Sequence, residues 1–118
     1  DRIKQAVNKP IFSGMDEAFA YALTAGADGA IGTSMNFQVE KFIKIQKLFE
    51  SNDIKGAAAE QIRLNNVVQA TVEANCLPGM KYAAKMLGVL DNDTCRRPLR
   101  PLNDAEKVRI EKAVKENI

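Results

Sequence analysis

Two carboxylates and a glycine-rich stretch mark the part of this 118-residue chain that could do chemistry. Asp16 and Glu17 follow a short apolar stretch at residues 11–12, and Thr33 follows a second one at residues 29–32. Polar side chains at the carboxyl ends of neighbouring strands are where α/β barrels place their active sites. The spacing therefore predicts two short parallel strands whose ends carry a polar binding site.

A purely structural role is the alternative for the same residues. Acidic side chains are common in the first turn of a helix, because they complement the positive end of its dipole. Ser13, three positions before Asp16, also fits a capping arrangement for that helix. Thr33 could cap the next helix in the same way. Without further information, helix capping is the simpler interpretation of Asp16 and Glu17.

The elements that must position these residues can be predicted from the apolar spacing. Helices are expected at residues 1–8, 16–26, 36–50, 54–75, 80–87 and 104–116, with residues 76–79 as a turn. The expected buried residues of the first three long helices are Phe19, Ala22 and Leu23, then Val39, Phe42, Ile43, Leu48 and Phe49, then Ile54, Ala58, Ile62, Val68 and Val72.

The two predicted strands need neighbours that this sequence does not contain. Two short strands do not form a stable sheet alone, and a parallel strand covered on both faces requires a sheet around it. Either the fold is mainly helical and the strands are loops, or the other strands belong to sequence outside these 118 residues. We favour the second alternative, which makes the predicted fold class α/β.

Composition and charge exclude several classes of function. A net charge of +2, with basic and acidic residues interleaved, gives no electrostatic case for nucleic acid or an anionic membrane as partner. No apolar run approaches the roughly 20 residues that span a bilayer. Two cysteines without any histidine exclude a Ser-His-Asp or Cys-His centre within the chain and do not suggest a zinc site. We expect a cytoplasmic location with reduced thiols, and Cys76 as a small buried residue.

Four segments occur in an order that resembles the N-acetylneuraminate lyase family. They are Gly-Met-Asp-Glu at residues 14–17, Gly-Ala-Asp-Gly-Ala-Ile-Gly-Thr at 26–33 followed by Asn36, Gly-Met-Lys at 79–81 and Cys-Arg-Arg-Pro-Leu at 95–99. The resemblance covers nearly the whole chain. The related dihydrodipicolinate synthases share the architecture, but they usually lack the Asp-Glu pair and the Gly-Ser/Thr strand end.

The resemblance implies that the chain is the C-terminal part of a (β/α)8 TIM barrel, a single domain over residues 1–118. Residues 1–50 would supply strands seven and eight with their helices, and residues 51–118 would form a C-terminal helical extension. The family cleaves N-acetylneuraminate to N-acetylmannosamine and pyruvate through a lysine Schiff base. Its lysine and its tyrosine lie on earlier strands and match no position here, so we expect this chain alone to be inactive.

The resemblance also implies which residues bind the hydroxylated tail of the sugar. The carboxylates would accept hydrogen bonds from hydroxyl groups, the glycines would offer backbone contacts, and the threonine would add a hydroxyl. The implied substrate-binding residues are Gly14, Asp16, Glu17, Gly32, Thr33 and Leu77. Leu77 replaces an aromatic residue that the family often has near the substrate. No metal or organic cofactor is implied, and a homotetramer of the complete enzyme is.

Two other functions remain open at this point. One is another pyruvate-dependent aldolase or dehydratase of the same superfamily, with a different 2-keto acid as substrate. The other is a non-catalytic helical interaction module that kept only the ancestry of an enzyme. Indifference to sugars in a monomeric, cooperatively folded chain would favour the module.

Overall fold

The computed structural model describes residues 2–118 and is mostly helical within that range. Its elements are α1 (Arg2–Ala6), β1 (Phe12–Ser13), a 3₁₀ helix (Asp16–Ala18), α2 (Phe19–Thr24), β2 (Gly29–Ala30), α3 (Met35–Glu50), α4 (Ile54–Glu73), α5 (Leu77–Met86) and α6 (Asp104–Asn117). The predicted helices are therefore found, with ends that differ by a few residues; the part of the first that falls on Asp1 lies outside the described residues. No helix of residues 2–118 combines the length and the apolar character needed to cross a membrane.

The chain divides into two compact units, one ending at Ile62 and the other formed by Arg63–Ile118. In the first unit β1 and β2 pair in parallel, with Phe12 opposite Gly29. Each strand is only two residues long: β1 is shifted by one residue from the predicted stretch at 11–12, and β2 covers only the first half of the stretch predicted at 29–32. In the part of the chain described here, each strand is hydrogen-bonded along one edge only. Two strands paired in this way are marginally stable, which fits their short length.

Side chains of the small sheet remain exposed. Phe12 is 55% exposed and Ile31, just after β2, is 72% exposed. Large apolar side chains beside unpaired strand edges are normally covered by further strands or helices. The sheet therefore has the character of part of a larger one.

The capping arrangement predicted for Ser13 and Asp16 is wrong. Met15 occupies the position before the 3₁₀ helix, and its side chain makes no capping bond. The Ser13 hydroxyl instead accepts a hydrogen bond of 3.3 Å from the Met15 backbone N–H. Because Ser13 still belongs to β1, its short side chain reaches only two residues along the chain, as in a serine turn.

The core of the first unit contains Phe19 and Leu23, as predicted. The Phe19 ring lies 5.3 Å from that of Phe42, measured between centroids, in a tilted arrangement. The rest of the α3 prediction is partly wrong, because Val39 and Ile43 are 42% and 47% exposed. Gln38 interrupts α3 with non-helical φ and ψ of −139° and 35°, so the 3.6-residue period does not run unbroken through the helix.

The predicted buried face of α4 is largely wrong. Ile54, Ile62 and Val72 are 49%, 62% and 43% exposed, and Ala58 is exposed too, whereas Val68 is buried. The buried residues of α4 are Ala57, Glu60, Gln61, Leu64, Val67, Val68, Ala70 and Thr71. Polar side chains on this face are paired, so a count of apolar residues alone selects the wrong side of the helix.

In the second unit α5 begins at Leu77 and takes in residues that were predicted as a turn. Pro78 fits the first helical turn because no intrahelical bond from its nitrogen is needed there. Gly79 permits close contact with α4: a Cβ at this position would lie 2.4 Å from the Thr71 carbonyl oxygen. Cys76, predicted to be buried, is exposed.

Candidate functional site

The segments that follow β1 and β2 meet at one edge of the small sheet. Because the strands are parallel and in register, residues 14–17 and residues 31–34 leave the sheet on the same side. The Asp16 Oδ2 atom accepts a hydrogen bond of 2.8 Å from the Ser34 backbone N–H. The structure therefore brings Asp16 to the loop that contains Gly32 and Thr33.

The Asp16 carboxylate is buried and only half satisfied. Its side chain is 6% exposed. The second oxygen, Oδ1, has no hydrogen-bond partner among residues 2–118. Leaving a buried acceptor unpaired costs about 1–3 kcal/mol, and more for a charged group. A donor supplied by a ligand or by solvent is the natural partner for this oxygen.

The absence of a side chain at Gly32 leaves the space that the Asp16 carboxylate occupies. A Cβ on residue 32 would lie 1.5 Å from the Asp16 Oδ1 atom, which is far inside van der Waals contact. Any larger residue would displace the carboxylate and break its bond to Ser34. The backbone of Gly32 is therefore part of the wall beside the free oxygen.

Three further buried polar atoms near this edge lack a partner among the described residues. They are the Ser34 hydroxyl oxygen and both amide atoms of Gln38. Buried polar groups are normally hydrogen-bonded, so these atoms mark a polar region around the start of α3. Sequence reasoning missed both residues; Ser34 could have been suspected as a second hydroxyl after Thr33, whereas Gln38 gave no signal.

Three of the predicted contact residues are open to solvent. Glu17, Thr33 and Gly14 are exposed, and a Cβ on Gly14 would meet nothing within 4 Å. Glu17 is the second residue of the 3₁₀ helix that begins with Asp16, so the two neighbouring carboxylates have different surroundings. The arrangement combines one buried and one exposed acceptor, which suits a ligand with several hydroxyl groups.

A buried amide on α4 holds the 3₁₀ helix from behind. Gln61 is 3% exposed. Its Nε2 donates to the Asp16 carbonyl oxygen at 3.0 Å, and its Oε1 accepts from the Ala20 backbone N–H at 2.7 Å. This residue was not expected from the sequence, where a glutamine inside a helix has no distinguishing pattern.

Leu77, the remaining predicted contact, belongs to the second unit. It is the first residue of α5 and is 50% exposed. In the same unit the Tyr82 hydroxyl donates to a Glu111 carboxylate oxygen at 2.7 Å. That hydrogen bond, together with burial, raises the pKa of Tyr82 to about 12.

The described residues do not form a metal centre. No group of three or more Cys, Asp and Glu side chains in residues 2–118 lies close enough together to hold an ion. The polar atoms at the sheet edge are a carboxylate, hydroxyls and an amide, which can bind an organic ligand through hydrogen bonds.

Comparison with known proteins finds that this chain is similar to lyases and aldolases that act on sugar acids. N-acetylneuraminate lyase 2 of Escherichia coli O6:H1 is 31% identical over 94 residues, which are 80% of this chain and 31% of that protein. The N-acetylneuraminate lyase of Fusobacterium nucleatum superposes with a TM-score of 0.88 at 26% identity, over 99% of this chain and 40% of that one. A variant of the 2-keto-3-deoxygluconate aldolase of Sulfolobus solfataricus gives a TM-score of 0.78 at 27% identity, over 89% and 36%.

The chain thus spans about a third of the length of the curated relatives that it matches. The model of the dihydrodipicolinate synthetase family matches residues 2–117, which is almost all of the sequence. The structural relatives are TIM-barrel proteins of the same family. The chain therefore belongs to the dihydrodipicolinate synthetase family.

Proposed function

We propose that this chain is the C-terminal part of a Schiff-base aldolase that cleaves N-acetylneuraminate to N-acetylmannosamine and pyruvate. The observation that carries the proposal is the sheet edge where Asp16 bonds to Ser34 and keeps one buried carboxylate oxygen unpaired. Relatives named N-acetylneuraminate lyase support this substrate. In this proposal β1 and β2 are strands seven and eight of the complete barrel.

The proposed role of the chain is to bind the hydroxylated tail of the sugar. The Asp16 Oδ1 atom and the Glu17 carboxylate accept hydrogen bonds from neighbouring hydroxyl groups, because carboxylates are strong acceptors. Thr33 adds its own hydroxyl. Gly14 and Gly32 allow the substrate to approach the backbone, and Leu77 contributes an apolar contact.

The covalent chemistry belongs to the rest of the barrel. A lysine amine on an earlier strand attacks the ketone carbon and loses water to form a Schiff base, which then accepts the electron pair of the breaking carbon–carbon bond. A tyrosine, which also lies on an earlier strand, acts nearby in proton transfer. The complete enzyme would need no metal or organic cofactor for these steps, and we propose that it assembles as a homotetramer.

An aldolase for a shorter sugar acid is the second candidate. It is favoured by the likeness to the Sulfolobus solfataricus 2-keto-3-deoxygluconate aldolase. This substrate is also a hydroxylated 2-keto acid, and the same acceptors could bind its hydroxyls. The longer tail of N-acetylneuraminate makes better use of two neighbouring carboxylates, one buried and one exposed.

The first experiment is an intact-mass measurement under denaturing conditions, followed by a lyase assay of the full-length protein. Pyruvate release is followed with N-acetylneuraminate and with 2-keto-3-deoxygluconate, and borohydride is used to trap pyruvate on lysine. Release from N-acetylneuraminate with a clear preference supports the proposal. Trapping of pyruvate together with a preference for the shorter acid supports the second candidate.

The absence of trapping and of turnover would overturn both aldolase proposals. The third hypothesis, that the protein is a non-catalytic helical interaction module, would then be favoured. It predicts that the protein neither binds either sugar acid nor changes its thermal unfolding when they are added.

A further inference from the structure

Gln61 makes contacts that no other side chain of the candidate site makes. It reaches from α4 to a helix start more than forty residues earlier in the chain. Its amide oxygen accepts from Ala20 and its amide nitrogen donates to the Asp16 carbonyl oxygen, at 2.7 and 3.0 Å. Both bonds are buried or partly buried, so solvent competes poorly with them.

The helix start that Gln61 contacts has no cap of its own. Neither Met15 before the 3₁₀ helix nor Ala18 before α2 makes a side-chain capping bond. The first N–H groups of a helix need partners from outside its own turns. Ala20 is the second residue of α2, the position that a capping side chain normally serves. Gln61 therefore supplies from α4 the cap that the local sequence lacks.

The bond to Asp16 extends this support into the binding site. Gln61 holds the backbone carbonyl of Asp16, while the Asp16 side chain holds the Ser34 N–H at 2.8 Å. The amide is suited to this double task because it offers a donor and an acceptor at once. A shift of α4 or a loss of the amide would therefore change the positions of both carboxylates of the 3₁₀ helix, Asp16 and Glu17.

We infer that Gln61 is a positioning residue that sets the orientation of Asp16 and Glu17 for binding the sugar tail. The inference rests on the proposed function. Gln61 acts through the Asp16 carbonyl and the Ala20 N–H and does not itself touch the substrate. Its loss is expected to weaken sugar binding and to leave the chemistry at the distant lysine intact.

The test compares Gln61→Met, which keeps the size of the side chain and loses both bonds, with Gln69→Met in the full-length protein. Gln69 is an exposed residue of the same helix, and its amide nitrogen donates to the Glu73 carboxylate one turn further along. The expected result for Gln61→Met is a KM for N-acetylneuraminate raised about tenfold, in line with a misplaced binding group. The kcat and the borohydride trapping of pyruvate should stay within about twofold, and Gln69→Met should resemble the wild type.

A purely structural role would give a different pattern. It would lower kcat and pyruvate trapping together, through loss of folded enzyme, and leave KM unchanged; that result overturns the inference. If Gln61→Met does not fold, Gln61→Glu keeps the acceptor for Ala20 and loses the donor to Asp16 when ionised. A raised KM with intact trapping supports the inference there too, and an unchanged KM overturns it.

Hydrogen exchange separates this inference from the proposed function. If the wild-type protein has no activity on either sugar acid, the proposed function is overturned, and the role of Gln61 in substrate binding is overturned with it. Faster exchange of the Ala20 amide in Gln61→Met would then still establish the support of the helix start. An Ala20 amide with unchanged protection overturns that support even in an active enzyme.

Discussion

At the scale of single residues, Asp16 combines a structural and a proposed binding role in one carboxylate. One oxygen fixes the loop after β2 through the Ser34 N–H, and the other is buried beside Gly32 without a partner in the part of the chain that the structure describes. A neutral amide of the same shape can keep the first contact. It cannot offer the same charged acceptor to a hydroxyl group.

We therefore predict that Asp16→Asn raises the KM for N-acetylneuraminate by about tenfold in the full-length protein, the value of one charge-assisted hydrogen bond of roughly 1.5 kcal/mol. Steady-state kinetics measures it. Glu40→Gln is the matched control, because Glu40 is an exposed carboxylate on α3 and should not affect KM. An unchanged KM in Asp16→Asn would assign Asp16 to loop structure alone.

Glu106 provides a pH-dependent prediction in the second unit. The Arg100 guanidinium donates to both carboxylate oxygens, and the Asn103 N–H donates to one of them. These contacts lower the pKa of Glu106 from 4.5 to about 2. A group whose pKa is lower in the folded state stabilises the protein above its ordinary pKa, and this contribution is lost as the pH falls through the folded value.

The expected outcome is a Tm of Glu106→Gln below that of the wild type at pH 7. The difference should shrink between about pH 4.5 and pH 2, because the wild-type carboxylate is then protonated as well. Thermal unfolding followed by circular dichroism measures it. Glu116→Gln, at a largely exposed position of α6, should show no such dependence. A constant difference at all pH values would contradict an ionic contribution from Glu106.

At the scale of elements, the contact between α4 and α5 depends on Gly79. A Cβ there would lie 2.4 Å from the Thr71 carbonyl oxygen and 2.9 Å from the Thr71 Cα. Backbone atoms cannot rotate away as the end of a side chain can, so one helix would have to move. The Thr71 hydroxyl also donates a hydrogen bond of 3.3 Å to the sulfur of Met80, the residue after Gly79.

Gly79→Ala should therefore lower the free energy of unfolding by about 1–3 kcal/mol, the usual cost of overpacking. Urea-induced unfolding measures it. Gly14→Ala serves as the control for stability, because its Cβ would have no neighbour within 4 Å. Equal stability of Gly79→Ala and the wild type would mean that α4 and α5 can separate without cost.

At the scale of the whole molecule, the exposed apolar side chains beside the small sheet predict association. Phe12 and Ile31 are 55% and 72% exposed. Apolar side chains of this size next to open strand edges favour contact with other chains. The 118-residue chain produced alone should therefore self-associate, and the full-length protein should form discrete oligomers.

Sedimentation velocity of the two samples over a range of concentrations checks this prediction. A sedimentation coefficient that rises with the concentration of the chain alone is the expected outcome. A monomeric chain that unfolds cooperatively and ignores both sugar acids would contradict it. That outcome would favour the helical interaction module over the aldolase.

The sequence by itself determined the family and the approximate positions of the helices, and it predicted the residues of the candidate site. The Gly-Met-Asp-Glu and Gly-Thr segments have a specific order, and helices such as α6 start at a strong local signal, the capping box of Asn103 with Glu106. The start of α6 can be read from the sequence because the two residues of its capping box are three positions apart, whereas the same spacing of Ser13 and Asp16 predicts a capping box that does not form. The order of the two segments along the chain also predicts that the residues after β1 and those after β2 lie at the same edge of a parallel sheet.

Only the tertiary structure decided which faces are buried and which polar atoms are paired. The exposed Ile62 and the buried Gln61 are neighbours on α4, and their surroundings come from residues far away in sequence. The bond from Ser34 to Asp16 and those from Gln61 to the helix start span 18 to 45 residues. Apolar periodicity contains no information about such partners, because it reports the side of a helix and not the group that faces it.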